Sequence, residues 1–411
     1  MGNAAQVGVG LGAVGLGTLA AIAIAARVLD PRDFAAFVTW WTVTNLFALA
    51  FSLTEAYLPR VLIGGADDET ERFVVARFVR LEAVMLLAMV VLAAVGASWA
   101  RDRLFGGSSA LVWAAIAYSV LAAAQSLQRG VAIGRGRFPV LAFQLVSDGT
   151  SRLVLCVAIA IGHGSSPVLF AAALCVSAAV GAVVAATRMR GWLAWTVRAD
   201  LSVPWIPLLW LSPAILVPLV INNATVPWLS AGGRVSVHEL GAFAGAVTLS
   251  RMLTLLVGAA YGPVLNPLST AVESGDIKRF VRIHSGAMTV AAFAGVLYAG
   301  SLWLLGPWLL RIYLGPSYEL GRGVFAVLAA GSAFMFLSVV EQASLVALSQ
   351  WHGVAIGWLI GLGAFAIVLA SSMAPVGAAA LAMTAGPAVA LVVMWLRRDL
   401  WLRRHPTVVS L

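Results

Sequence analysis

The chain has 411 residues, of which 61% are hydrophobic and 10% charged, with a formal net charge of +9. So apolar a composition excludes an ordinary soluble domain and a nucleic-acid-binding protein, and it reads as an all-α polytopic membrane protein. Every basic residue except Lys278 is an arginine, which with abundant Ala, Gly and Val suggests a GC-rich bacterial genome. Cys156 and Cys175 both fall inside apolar runs and read as small buried hydrophobes. No metal or cofactor site is expected.

Taken in order, with about twenty apolar residues required per span, the sequence predicts twelve helices. They lie near 4–26, 34–57, 81–100, 110–127, 140–161, 168–186, 204–222, 240–264, 285–305, 323–347, 354–372 and 377–396. Residues 10–25 read as part of a retained first span, since no basic region of a signal peptide precedes them. Gly8, Gly10, Gly12, Gly15 and Gly17 in this span favour bending or close packing. Asp30, Pro31 and Asp33 then mark the start of the second helix with a cap, a first-turn proline and an acid near the positive helix end. The seventh helix carries Pro204, Pro207, Pro213 and Pro218. Interior prolines remove backbone hydrogen bonds, so this helix is expected to bend, with Pro213 and Pro218 as its hinge.

Half a chain after Asp30 the start signal returns as the capping box Ser236–Glu239. Phe34-Ala35-Ala36-Phe37 answers Leu240-Gly241-Ala242-Phe243 at an offset of 206. This points to an internal duplication, with one six-helix bundle over 1–203 and a second over 204–411. Alternate loops hold 17 and 7 basic residues, so the positive-inside rule places both termini in the cytoplasm of a bacterial plasma membrane. All loops are short, which leaves function to the helices and disfavours a membrane glycosyltransferase or polymerase, whose carboxylates usually sit on large external loops.

Few charges fall within the spans. Arg152 and Arg251 each lie roughly 16–18 Å from a membrane face at about 1.5 Å per residue, close to the midplane. Such arginines face a wet cavity or a partner. Asp148, one turn before Arg152, is a ready local partner. Arg251 has no acid nearby in sequence; the alternatives are an ion pair with Glu341 and a role as an anion contact, with Asn45 at the duplicated position opposite. Glu341 and Glu55 are candidate coupling or gating acids, although Glu55 is close enough to the interface to pair with Arg60. Arg27 and Arg129, at helix ends, read as interfacial anchors.

The segments ARVLDPRDFAAF, QRGVAIGRGRF, GAFAGAVTLSRMLTLLVGAAYGPVLNPL and YLGPSYELGRGVFAVLAAG resemble the multidrug, oligosaccharidyl-lipid and polysaccharide exporter superfamily, and most its polysaccharide-flippase branch. The resemblance implies two six-helix bundles related by a pseudo-two-fold axis, V-shaped around a central cavity. It also implies a polyprenyl-linked sugar as substrate, with membrane lipids and envelope polysaccharide assembly proteins as partners. Arg27 and Arg251 match positions where related lipid-precursor flippases carry cavity arginines, whereas the second helix has Asn45 in place of a midplane arginine. The expected substrate contacts are therefore Arg251, Asn45, Arg152 and Arg27, and the expected coupling or gating residues Asp148, Glu341, Glu55, Pro213 and Pro218. The competing reading within the superfamily is a cation-coupled multidrug exporter, for which Asp148 and Glu341 would be the acids.

Overall fold

The computed structural model describes residues 3–62, 68–189 and 205–404. Among them the secondary structure is entirely helical: α1 (Asn3–Val28), α2 (Pro31–Leu62), α3 (Asp68–Val95), α4 (Ala97–Arg103), α5 (Ser109–Gly134), α6 (Phe138–Ile161), α7 (Pro167–Arg188), α8 (Trp205–Asn223), α9 (Thr225–Gly232), α10 (Val237–Ser250), α11 (Met252–Glu273), α12 (Ile277–Leu314), α13 (Arg322–Ala347), α14 (Trp351–Leu369) and α15 (Pro375–Arg404). Ten of these are long and apolar enough to cross a membrane, and α8 with α9 forms a broken eleventh. The eighth expected span, 240–264, is helical but interrupted at Arg251, which separates α10 from α11.

The chain divides into two compact units, Met1–Leu208 with Val226–Gly233, and Leu209–Thr225 with Arg234–Leu411. In the first, α1 packs on α6, α2 on α5, and α7 on both α5 and α6. In the second, α13 is central, with α12, α15 and α11 against it and α14 on α15. Their outward faces carry apolar side chains, such as Val84, Leu87 and Leu92 on α3 and Val290, Phe293 and Val296 on α12. Such faces suit lipid and not water.

The helices start where side chains satisfy their free N–H groups. Asp30 accepts from the backbone of Arg32 and Asp33, both at 2.9 Å, as its sequence signal predicts. Ser166 caps α7 ahead of Pro167, and Asp276 accepts from Arg279 N at 2.8 Å to open α12. The Ser236–Glu239 box is complete: Glu239 N donates to Ser236 Oγ at 3.2 Å and Ser236 N to Glu239 Oε2 at 2.9 Å.

Several boundaries differ from the sequence reading in ways that matter later. The third span runs over 73–95 and not 81–100, because Gly96 ends α3 and the polar segment ASWARDR forms the separate α4. Glu82 is thereby brought well inside a helix expected to start beside it. Helices α5 and α15 run on to Gly134 and Arg404, so Arg129 and Arg398 also become helical side chains with neighbours to meet.

The seventh helix is continuous through Pro213 and Pro218 and breaks further on, at Ala224. Pro227 supplies the cause. It has no N–H for the Asn223 carbonyl, and its ring collides with that carbonyl in a continuous helix. Val226, preceding a proline, is also biased away from helical backbone. The side-chain amides of Asn222 and Asn223 donate to Pro218 O and Leu219 O at 3.0 and 2.8 Å, closing the end of α8.

The box at the start of α10 is testable because Glu239 is exposed and precedes the apolar run that begins at Leu240. The Ser236 backbone N–H, then its hydroxyl, hold the Glu239 carboxyl below the usual glutamate range. A depressed carboxyl contributes stability above its unfolded value and loses it as pH falls through the folded one. Ser236→Ala is expected to cost about 1 kcal/mol at neutral pH. In unfolding measurements in mixed micelles, the difference between wild type and Glu239→Gln should shrink as pH falls into the acidic range.

Candidate functional site

In the first unit, two glycines decide what can meet at Arg152. A Cβ at Gly17 on α1 would lie 3.0 Å from the Gly149 Cα on α6, and one at Gly149 would lie 2.7 Å from Val14 N. Only glycine lets the two backbones come this close. The next residue on α1, Thr18, is thereby placed to accept from Arg152 Nη1 at 2.5 Å. Arg152 Nη2 donates to Asp148 Oδ1 at 3.0 Å, the pairing expected one turn back on α6. The guanidinium lies 5.2 Å from the Trp41 ring centroid on α2, and Tyr118 of α5 also meets that ring, edge-on at 5.7 Å. Arg152 is 2% exposed. A hydroxyl, a carboxylate and an aromatic face thus replace its hydration shell.

A polar seam continues along α6. Gln144, one turn before Asp148, donates to Gln128 Oε1 at 3.1 Å, and Gln128 donates in turn to Ala182 O at 3.0 Å. Gln125 donates to Ala178 O at 2.7 Å. The spacing Gln144–Asp148–Arg152 puts all three on one face of the helix. This signal was legible in the sequence, but the charged pair alone was read from it.

A second cluster in the same unit joins α2 and α5. Glu55 pairs with Arg129 Nε at 3.1 Å; the side chain of Arg60, the partner its sequence position suggested, lies outside the described residues. Arg129 is therefore an ion-pair partner within the unit as well as a residue near a helix end. Glu82, on α3 of the same unit, is 5% exposed. Asn45, expected near the midplane of α2, is half-buried and turns its amide to Trp41 O at 2.6 Å. Arg27 is exposed in the last turn of α1, where a cation complements the negative helix end.

In the second unit Arg251 stands at the helix interruption. It serves as both the C-cap of α10 and the N-cap of α11, with its own N–H bonded to Val247 O at 3.1 Å. The break frees carbonyl groups, and the Tyr298 hydroxyl of α12 donates to one of them, Leu249 O, at 2.5 Å. Buried protein groups have to perform this service where water is excluded. The Arg251 side chain donates Nη1 to Asn223 Oδ1 at 3.2 Å, so the last residue of α8 meets the junction of α10 and α11. A sequence scan limited to charges does not find this partner, because Asn223 is neutral.

Glu341 belongs to a different cluster and is not the partner of Arg251. It is fully buried on α13, accepts from Arg398 Nη1 of α15 at 2.9 Å, and lies 3.3 Å from His284 Nε2 of α12. The Arg398 guanidinium also touches the His284 ring, and Ser344 Oγ donates to Glu341 Oε1 at 3.4 Å. Sequence reasoning placed Arg398 in a basic tail because the twelfth helix was ended at 396. Pro213 and Pro218 lie within α8, as described above.

No family model matches the chain. An uncharacterized protein of Mycobacterium tuberculosis is 27% identical over 443 residues, covering 95% of this chain and 90% of that relative. A second uncharacterized protein of that organism is 26% identical over 397 residues, covering 87% and 83%. Among solved structures, the inward-facing conformation of a multidrug resistance MATE family transporter of the MOP superfamily superposes with a TM-score of 0.71 at 14% identity, over 97% of this chain and 98% of that one. Its outward-facing counterpart gives 0.64 at 14% identity, over 98% and 94%. A MOP superfamily transporter from Pyrococcus furiosus gives 0.62 at 13% identity, over 97% and 94%. The chain is thus an all-helical, multi-pass membrane protein with the fold of these transporters.

The Asp148–Arg152 pair separates support from solvation. Asp148→Asn leaves a buried guanidinium without its counter-charge and is expected to destabilise the protein by about 3–5 kcal/mol. Replacing both residues, Asp148→Leu with Arg152→Met, should cost less than either single change. A double-mutant cycle from unfolding in mixed micelles measures the difference.

Proposed function

We propose that the protein is a membrane transporter of the multidrug, oligosaccharidyl-lipid and polysaccharide superfamily that turns a polyprenyl-(pyro)phosphate-linked oligosaccharide from the cytoplasmic to the outer leaflet by alternating access. It is a carrier and not an enzyme on this reading, resides in the bacterial plasma membrane, and works beside envelope polysaccharide assembly proteins. The observation that carries the proposal is Arg251 at an interrupted helix, held by the neutral amide of Asn223. Interrupted helices at a midplane site are a recurring way of handling ions and polar groups in transporters. A pyrophosphate and sugars cannot cross hydrocarbon unaided, because charged and polar groups lose their hydration there. The planar guanidinium can grip phosphate oxygens with two hydrogen bonds, which a lysine cannot reproduce. Asn45 is assigned to the same substrate path, with Arg27 at its edge, while Arg152 supports it from within the first unit.

Cation-coupled multidrug export is the second reading, favoured by the structural neighbours described as multidrug resistance transporters. The Pyrococcus furiosus neighbour is described as having a binding pocket of reversed polarity that suggests a different function. It supports the view that this fold serves more than one substrate class.

The orientation is tested by single cysteines. Those replacing Ser108 and Ser165 should react with an impermeant reagent from outside, and those replacing Arg137 and Ser274 should not. The reverse pattern would overturn cytoplasmic termini.

If the headgroup carries about two negative charges, outward movement across an inside-negative potential releases roughly 2.3 kcal/mol per charge per 100 mV. The potential alone then suffices to drive export. Flipping in proteoliposomes should fall in the order wild type, Arg251→Lys, Arg251→Ala at equal protein levels, and should weaken when the potential is collapsed. Full activity of Arg251→Ala would remove Arg251 from the substrate path, and selective transport of lipophilic cations would favour the drug-export reading.

A further inference from the structure

Where α3 gives way to α4, small side chains stand opposite α5 and leave a slot between the helices. Ala93, Ala94, Ala97, Ser98 and Arg101 recur at the spacing of one helix face and form one wall. Val112, Trp113 and Ile116 of α5 form most of the other, and the space between them is about 290 Å³. Packed protein interiors leave few voids larger than a water molecule, and sites for small molecules start at roughly 300 Å³. The slot opens on the outward face of the first unit, since Ala94, Ser98 and Trp113 are all exposed.

Polarity changes along its length. Ala93 and Ala94 belong to the membrane span that ends at Val95, and Val112, Trp113 and Ile116 to the one that starts at Ser109. This inner end is apolar. Ser98, Arg101 and Ser109 bring two hydroxyls and a guanidinium to the other end, beside the turn that joins α4 to α5. From Ala93 to Arg101 the wall rises roughly 12 Å, at about 1.5 Å per residue. Trp99 and Trp113, 56% and 69% exposed, flank the change of polarity. Exposed tryptophans gather at the headgroup level of a bilayer, so the slot crosses that level lengthwise.

Arg101 is equipped to meet an anion at the mouth. Its Nε and Nη2 donate to Asp102 at 2.7 and 3.2 Å, and Nη1 has no acceptor among the described residues. Both side chains of this pair are about half exposed, and an ion pair so open to solvent holds weakly. Arg103 leaves the short segment with a net positive charge. A guanidinium with free N–H groups suits phosphate oxygens, whereas the alanine walls suit a hydrocarbon chain.

We propose that this slot seats one membrane glycerophospholipid. Its phosphate meets Arg101 Nη1 and the hydroxyls of Ser98 and Ser109, and one acyl chain runs inward past Ala97 and Ala94 against Trp113 and Ile116. The second chain stays in the bilayer, because the volume admits one. A free phosphate leaves the apolar length unfilled, and a plain hydrocarbon leaves the basic mouth unused. The inference requires only that the chain spans a membrane, and it is independent of what the protein transports.

Native mass spectrometry of the full chain, stripped of lipid in mild detergent and given back phosphatidylglycerol, tests it. The wild type should retain one phosphatidylglycerol per chain through the detergent exchange. Ala97→Leu and Ala94→Leu, which fill the slot, should each abolish that retention; Ala94 is exposed, so its variant keeps the fold even if the other does not. Arg101→Gln should weaken retention about fivefold, the loss of roughly one cationic contact at a headgroup, and leave binding of diacylglycerol, which lacks the phosphate, unchanged. A phosphatidylglycerol with a diazirine in its acyl chain should cross-link within residues 93–116. Retention unchanged in both filled variants, cross-links confined to other helices, or an Arg101→Gln variant that binds as the wild type does would each overturn the proposal. So would displacement of the lipid by inorganic phosphate alone, or preferential retention of a polyprenyl phosphate, which would assign the slot to a transported substrate.

Discussion

A charge inside a membrane protein has to be surrounded by groups that do what water did, and most of the internal architecture follows from that requirement. Arg152 is met by a carboxylate, a hydroxyl and an indole face supplied by three helices. Glu341 is met by an arginine, a histidine and a serine supplied by its own helix and two others. Each arrangement fixes helices against one another at one depth. The apolar faces around them can repack at modest cost, whereas these polar centres cannot be shifted without stranding a charge.

The same requirement divides the internal charges into two kinds. Arg152 and Glu341 are bonded within sealed clusters and are suited to holding a unit together. Arg251 sits at a broken helix and donates to the neutral amide of Asn223. A group at such an interruption can exchange a ligand without dismantling the fold. The proposed substrate contact belongs to this second kind.

Much of this was readable before any coordinates. The caps at Asp30 and Ser236, the positions of the apolar runs, and the Asp148–Arg152 pair follow from local chemistry between residues at most four apart. What was not readable depends on partners distant in the chain. Arg398 reaches Glu341 across 57 residues, and Thr18 reaches Arg152 across 134. Glu82 and Arg129 were misplaced by a few residues at helix ends, where composition changes gradually and the boundary is weakly marked. The seventh helix was expected to bend at Pro213 and Pro218. Pro213 and Pro218 are carried within α8, while Pro227, outside the expected span, sets the break.

The close approach of Gly17 and Gly149 has a mechanical consequence. Two helices whose backbones touch have no side-chain cushion between them, so sliding one past the other by part of a turn drives neighbouring side chains into the opposite main chain. Shear at this contact is blocked, and Thr18 adds a cross-tie to Arg152 that would have to be cut first. Any displacement of α1 therefore carries α6 with it as a single lever. The lever extends toward the start of α1, because a Cβ at Gly10 would already lie 3.0 Å from Leu145 Cβ and 3.3 Å from Ala142 Cα on α6.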